Sequence, residues 1–221
     1  MSELLKKLAE DLYNGDADSV VALVRQALNN GLTPAEILEH GLIAGMNVVG
    51  KDFRDGLLFI PEVLIAARAM HAGMGVLKPL LAESDVPPTG RFLIGTVQGD
   101  LHDIGKNLVA MMMEGAGFEV HDLGVDVPAQ KFVAEVKAWQ PDVLGLSALL
   151  TTTMAEMKTV IEALDDADLR DRVKVLVGGA PVTEKYAAEI GADGYAANAS
   201  TAVEEARKLL LLGGQCNTTG L

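Results

Sequence analysis

From residue 91 onward, short runs of mostly apolar residues alternate with helical patterns, and no other feature restricts the fold as tightly. The runs Phe92–Val97, Phe118–Leu123, Val143–Ser147, Val173–Val177 and Gly194–Ala197 read as strands. Helical periodicity intervenes at Lys106–Ala116, Gln130–Trp139, Met154–Leu164, Val182–Ile190 and Thr201–Leu212. Strands joined in this way run parallel through right-handed crossovers, with helices covering both faces. The expected architecture is therefore α/β, a doubly wound five-stranded parallel sheet in flavodoxin-like, Rossmann-like order.

No strand pattern precedes residue 90. Leu4, Leu5, Leu8 and Leu12 mark a helix over Ser2–Asn14, and Val20, Val21, Val24 and Leu28 mark a second that stops at Gly31. Thr33-Pro34-Ala35-Glu36 is a capping box with proline at the first helical position. It opens a third helix carrying Ile37, Leu38, Leu42, Ile43, Met46 and Val49, and a fourth runs from Pro61 to about Leu81. The first part reads as a four-helix bundle. The polar stretch from Ala82 to Gly90, with two prolines, reads as a linker. The expected division is a bundle at 1–82, a linker at 83–90, an α/β domain at 91–212 and a flexible tail at 213–221.

With 49% hydrophobic residues the chain can build a full core without staples. A net charge of −13 argues against a nucleic-acid binder, and 4% aromatic residues argue against a base-stacking platform. The single cysteine, Cys216, excludes an internal disulfide and fits a reducing cytoplasm. No uninterrupted apolar run looks long enough to span a membrane, and no signal peptide is visible. Met111-Met112-Met113, Met70 and Met74 read as packing residues.

The chemistry concentrates in Gly99-Asp100-Leu101-His102-Asp103-Ile104-Gly105, between the first strand and its helix. A histidine there projects from the carboxyl edge of the sheet, where open α/β folds place their ligands. Asp100, two residues earlier, is close enough for its carboxylate to hold one ring nitrogen, as carboxylates do behind metal-bound histidines. Gly105 lets a bulky ligand approach the backbone. Asp103 also suits the first turn of the helix as an acid facing its dipole. His40, His71 and His121 lack such company and read as surface or half-buried side chains.

Two further features lie at later strand ends: Ser147-Ala148-Leu149 and Gly178-Gly179. The set Asp-x-His-x-x-Gly, Ser-x-Leu and Gly-Gly, in this order, resembles the signature of cobalamin-binding domains. With a helical bundle in front, the whole chain to about Leu212 resembles the corrinoid proteins of methyltransferase systems. It is also similar to the cap and cobalamin modules of cobalamin-dependent methionine synthase. The resemblance implies that His102 replaces the cofactor's benzimidazole as lower axial ligand to cobalt, with Asp100 on the other ring nitrogen. Thr153 stands where the family often has a serine completing a proton relay. Gly99, Leu101, Asp103, Ile104 and Gly105 would contact the cofactor around this pair. Ser147, Leu149 and Thr151 would line the pocket for the detached nucleotide tail, Gly178 and Gly179 would give it room, and Asn198-Ala199 would line it again. In the bundle, Gly45 to Gly50, Phe53 and Phe59-Ile60-Pro61 match the family's cap; Phe53 and Ile60 would lie over the upper corrin face, with Glu39 in the same pocket.

The implied function is that of a methyl carrier. It would accept a methyl group on cob(I)alamin through a donor-specific methyltransferase and deliver it from methyl-cob(III)alamin to an acceptor methyltransferase. A reductive activation protein would be a third partner, and the carrier would not be catalytic alone. Methylamine, betaine, methanol and aromatic methyl ethers remain open as donors, and tetrahydrofolate or a thiol as acceptor. A cobalamin-dependent sensor would need an output domain such as a basic helix-turn-helix, which the acidic first part does not resemble. A mutase cobalamin subunit normally lacks this helical cap. In a plain flavodoxin-like signalling domain, His102 would be incidental.

Overall fold

The computed structural model describes residues 3–82 and 87–213. It forms two compact units: one takes the chain as far as Thr89 and adds Glu114–Gly117, the other takes Gly90–Met113 and continues from Phe118. Residues 83–86 of the expected linker, and the tail with Cys216, lie outside the described residues.

The first unit is helical: α1 (Glu3–Tyr13), α2 (Ala17–Asn29), α3 (Pro34–Ile37), α4 (Ala44–Arg54) and α5 (Ile60–Ala82). In α1, Leu5, Leu8 and Leu12 fall on one face and are buried. Asp16 caps α2 by accepting the Ser19 N–H at 3.0 Å. The capping box at Thr33 forms as expected: Thr33 Oγ1 accepts the Glu36 N–H, and Glu36 accepts the Thr33 N–H. The third helix is not continuous. A π-helical segment, Leu38–Ile43, separates α3 from α4. Its apolar spacing still reads as helical, so a single widened turn leaves no trace in the sequence pattern. Gly41 in that segment sits against α1, where an added Cβ would stand 2.5 Å from the Leu8 side chain.

Helix α5 is apolar but interrupted by Glu62, Arg68 and Lys78, so the expectation of no uninterrupted membrane-spanning run stands. Over Ile60–Leu81 it is still long and apolar enough, by length and composition, to cross a membrane. Its Val63, Ala66, Ala67, Ala69, Met70 and Leu77 are instead buried within the protein, as in the core helix of a bundle.

The second unit is the expected parallel sheet, with strands β1 (Arg91–Thr96), β2 (Glu119–Asp122), β3 (Val143–Ser147), β4 (Lys174–Gly178) and β5 (Gly194–Ala196). Their order is β2-β1-β3-β4-β5, and every pairing is parallel. The connecting helices are α6 (Ile104–Gly115), α7 (Ala129–Trp139), α8 (Ala155–Asp166) and α9 (Glu184–Glu189), with α10 (Ala199–Gly213) closing the unit. Leu93, Leu144, Leu146, Val175 and Val177 from the strands are buried against Phe132, Met157, Val160 and Leu164 from α7 and α8. Gly95 of β1 makes room for the Phe132 ring; a Cβ there would meet it at 2.8 Å. His121 of β2 packs edge-on against Trp139, ring centroids 5.2 Å apart, while the Arg91 guanidinium covers the same indole at 4.3 Å.

With this strand order the chain leaves β1 toward β2 on one side and leaves β3 toward β4 on the other. The loops after β1 and β3 therefore diverge, and the gap between them is the switch point where such sheets take ligands.

Candidate functional site

The loop after β1 begins with a tight turn. The Asp100 N–H donates to the Val97 carbonyl at 3.2 Å, and Gly99 takes φ +80° at the position where a turn of this kind favours glycine. The turn drives the Asp100 side chain into the gap between β1 and β3, where it has no exposed surface.

Both carboxylate oxygens are fully engaged there. Oδ1 accepts the His102 N–H at 3.1 Å and pairs with His102 Nδ1 at 2.7 Å. Oδ2 accepts the Leu149 N–H at 2.8 Å, the Leu150 N–H at 3.3 Å and the Thr153 hydroxyl at 2.6 Å. One buried carboxylate thus joins the two diverging loops. Burial is the largest single influence on it and pushes its pKa up. The hydrogen bonds from Thr153, Leu149 and His102 together outweigh burial, and the carboxyl lies well below the usual carboxylate range.

An ionised Asp100 accepts at His102 Nδ1 and so fixes the proton there. In the neutral imidazole this leaves the lone pair on Nε2. The imidazole side chain is 51% exposed, so that lone pair is open to a ligand. Leu101, Ile104, Leu149 and Leu150 are exposed apolar side chains on the same two loops, and a Cβ on Gly105 would meet nothing within 4 Å. Among the described residues no group of three or more His, Cys, Asp or Glu is placed to hold a metal ion. A lone imidazole suits a metal that arrives with its other ligands in a macrocycle, and the apolar surround suits the flat face of one.

The remaining predicted residues fall as follows. Ser147 ends β3, and Leu149 and Thr151 follow it, both exposed. Asp103 directly precedes α6, where its side chain accepts from Asn107 Nδ2 at 3.1 Å. Gly178 and Gly179 close β4, and their missing side chains have a plain structural cause. A Cβ on Gly178 would lie 2.9 Å from the Ala196 carbonyl oxygen, and one on Gly179 only 1.8 Å from that of Ala148. Asn198 caps α10 by accepting the Thr201 N–H at 2.9 Å, and Ala199 is buried in its first turn. Glu39, Phe53 and Ile60 belong to the first unit: Glu39 is exposed in the π-helical segment, Phe53 is half-buried in α4, and Ile60 opens α5 at 43% exposure. Sequence reasoning missed Thr96, whose hydroxyl, fully buried, donates to the His102 carbonyl at 2.9 Å. It also missed Leu150, Lys106, Asp122 and Asp126. Their roles depend on loop conformation, which no periodicity encodes.

Thr153→Val tests the carboxylate's environment. Because the folded pKa of Asp100 is depressed, its contribution to stability is present above the unfolded value of about 4 and is lost as pH falls through the folded value. Deleting the Thr153 hydroxyl bond should cost about 1.5–3 kcal/mol at neutral pH. In urea unfolding of the cofactor-free chain, the gap between wild type and Thr153→Val should narrow as pH drops below about 4. A gap independent of pH would show that the threonine acts by packing alone.

Comparison with known proteins gives the family. Two family models, each described as a B12 binding domain, match residues 90–205 and residues 4–78. Fold and site thus define a cobalamin-binding protein. The dimethylamine corrinoid protein of Methanosarcina barkeri is 50% identical over 209 residues, covering 94% of this chain and 98% of that protein. The crystal structure of the methanol:cobalamin methyltransferase complex from Methanosarcina barkeri is similar with a TM-score of 0.86 at 29% identity, over 97% of this chain and 84% of that one. A cobalamin-binding protein from Desulfitobacterium hafniense aligns with a TM-score of 0.78 at 33% identity, over 93% of this chain and 98% of that one. The chain belongs to the family of corrinoid proteins of methyltransferase systems, and its cofactor is cobalamin.

Proposed function

We propose that this chain shuttles a methyl group from a methylated amine, through a donor-specific methyltransferase, to a second methyltransferase that serves the acceptor. The observation that carries this reading is the outward Nε2 of His102, set by the 2.7 Å contact of Nδ1 with a buried Asp100. When bound, the corrin supplies a cobalt centre that is nucleophilic when reduced and holds a methyl group when oxidised. His102 would ligate the cobalt through Nε2, with Asp100 orienting the ring and keeping its proton on Nδ1, and Thr153 holding Asp100. Leu101, Ile104 and Leu149 flank the cofactor on its histidine side. Ser147, Thr151 and Asn198 border the path of the nucleotide tail, and Gly178 and Gly179 keep the loops around it close. Glu39, Phe53 and Ile60, in the first unit, are further proposed cofactor contacts. The proposal of an amine donor is supported by the name and 50% identity of the dimethylamine corrinoid protein, and that of a methyltransferase partner by the methanol:cobalamin methyltransferase complex. A reductive activation protein, in a reducing cytoplasm, completes the set.

The test uses the cobalamin-loaded chain with a reductant, an acceptor methyltransferase and a panel of donor methyltransferases, each with isotope-labelled donor. Label should reach the acceptor only when the chain is present, and most efficiently with a methylamine enzyme. Equal transfer without the chain, or transfer with the methanol or aryl-ether enzymes only, would overturn the reading.

A further inference from the structure

We infer that the end of β2 and the turn after it clamp the His102 loop at both ends, which makes Asp126 and Asp122 positioning residues for the axial imidazole. The inference rests on the reading of His102 as axial ligand. At the start of the loop, the Gly99 N–H donates to Asp126 Oδ1 at 2.7 Å, and the Asp126 N–H donates back to the Asp100 carbonyl at 3.0 Å. Asp126 makes both bonds from φ +53°, a left-handed conformation that few residues other than glycine adopt and that aspartate and asparagine tolerate best. Pairing beyond β2 brings it there: Thr96 donates to the Gly124 carbonyl, Val127 donates to the Thr96 carbonyl, and Val97 bridges Val127.

At the far end, the Lys106 side chain is 2% exposed, and its ammonium is ion-paired with Asp122, the last residue of β2. The same ammonium donates to Asn107 Oδ1 at 2.6 Å, and Asp122 Oδ1 accepts the Gly124 N–H at 2.9 Å. A buried ammonium stripped of its carboxylate is strongly unfavourable, so this end is tightly tied. Neither aspartate bonds to the imidazole. Asp126 bonds the loop backbone directly, and Asp122 acts through the Lys106 ammonium on the first turn of α6, at the two ends of a stretch that carries Gly99 and Gly105. An exposed ring holds its metal only while that backbone stays in place.

The experiment loads the full chain, uniformly labelled with heavy nitrogen, with cob(II)alamin and records its electron paramagnetic resonance. Splitting by the labelled nucleus reports histidine-bound cobalt and is separate from the cofactor's own nitrogen. Loss of a group behind a metal ligand typically weakens metal binding about 10–100-fold, so Asp126→Ala should lower the ratio of bound to unbound histidine by about tenfold. Asp126→Gly, which relieves the backbone but lacks the carboxylate, should fall as far, and Asp126→Asn, which restores an oxygen acceptor, should recover most of the signal. Asp122→Asn alone strands a buried charge and threatens the fold. The paired change Asp122→Asn with Lys106→Met therefore tests the other end, with circular dichroism to verify folding, and it too should lose splitting. Wild-type splitting in Asp126→Ala and Asp126→Gly, with loss in His102→Ala, overturns the clamp and leaves the axial reading standing. Splitting retained in His102→Ala overturns the axial reading itself.

Discussion

His102→Ala, loaded with cobalamin, should lose the protein-derived nitrogen splitting completely and bind the cofactor at least about tenfold more weakly. The lower bound follows from scale: losing a group behind a metal ligand already costs about 10–100-fold in affinity, and losing the ligand itself costs no less. The variant should fold normally, because the side chain is 51% exposed and its ring is held through Nδ1 by Asp100. Asp100→Asn should be milder in ligation and harsher in stability. An amide oxygen can still accept from Nδ1, but it carries no charge to hold the proton there. The Asn side chain also cannot accept at both ends from the donors now shared between Oδ1 and Oδ2. Absorption spectra and equilibrium dialysis read the first effect, and urea unfolding of the cofactor-free chain reads the second. Unchanged affinity in His102→Ala would place the cofactor's axial support elsewhere.

Gly179→Ala should cost about 3 kcal/mol or more, enough to lower the unfolding midpoint by roughly 6–12 °C in a chain of this size. Two causes coincide. The residue holds φ +131°, a region essentially reserved for glycine, and its Cβ would stand 1.8 Å from the Ala148 carbonyl oxygen. That atom belongs to backbone and cannot swing aside as a flexible side chain would. The loop after β3, which donates the Leu149 and Leu150 N–H groups to Asp100, must then move. Cofactor affinity should fall together with stability, even though residue 179 is far from His102 in sequence. Calorimetry of the cofactor-free variant separates the two effects. A midpoint within a degree or two of wild type would show that β4 can shift without strain.

Much of the fold was legible because burial follows simple periods. Strands covered on both faces read as continuous apolar runs, and β1, β3 and β4 lie within a residue or two of their expected bounds. The bundle helices announce themselves through leucine spacing in α1 and the Thr33–Glu36 capping box. The π-helical segment at Leu38–Ile43 and the burial of one face of α5 were not legible. One inserted residue leaves the apolar stripe almost intact, and composition over a long helix does not say what surrounds it.

The same division runs through the site. Sequence alone determined which residue types stand at the strand ends, and so the Asp100–His102 pair, two positions apart on one loop where the short reach of the carboxylate settles the partner. It determined the helical unit and the sheet for the same reason, since periodicity is a local property of the chain. Tertiary structure closes Thr153, more than fifty positions away, on Asp100, a pairing that the family resemblance implied and no local pattern encodes. It alone decided that Gly178 and Gly179 yield their side-chain space to neighbouring backbone, and that Asp122 and Asp126 reach the His102 loop from the edge of the sheet. Those contacts join segments brought together by the order of the strands, and a hydrogen bond between distant segments has no signature in either segment by itself.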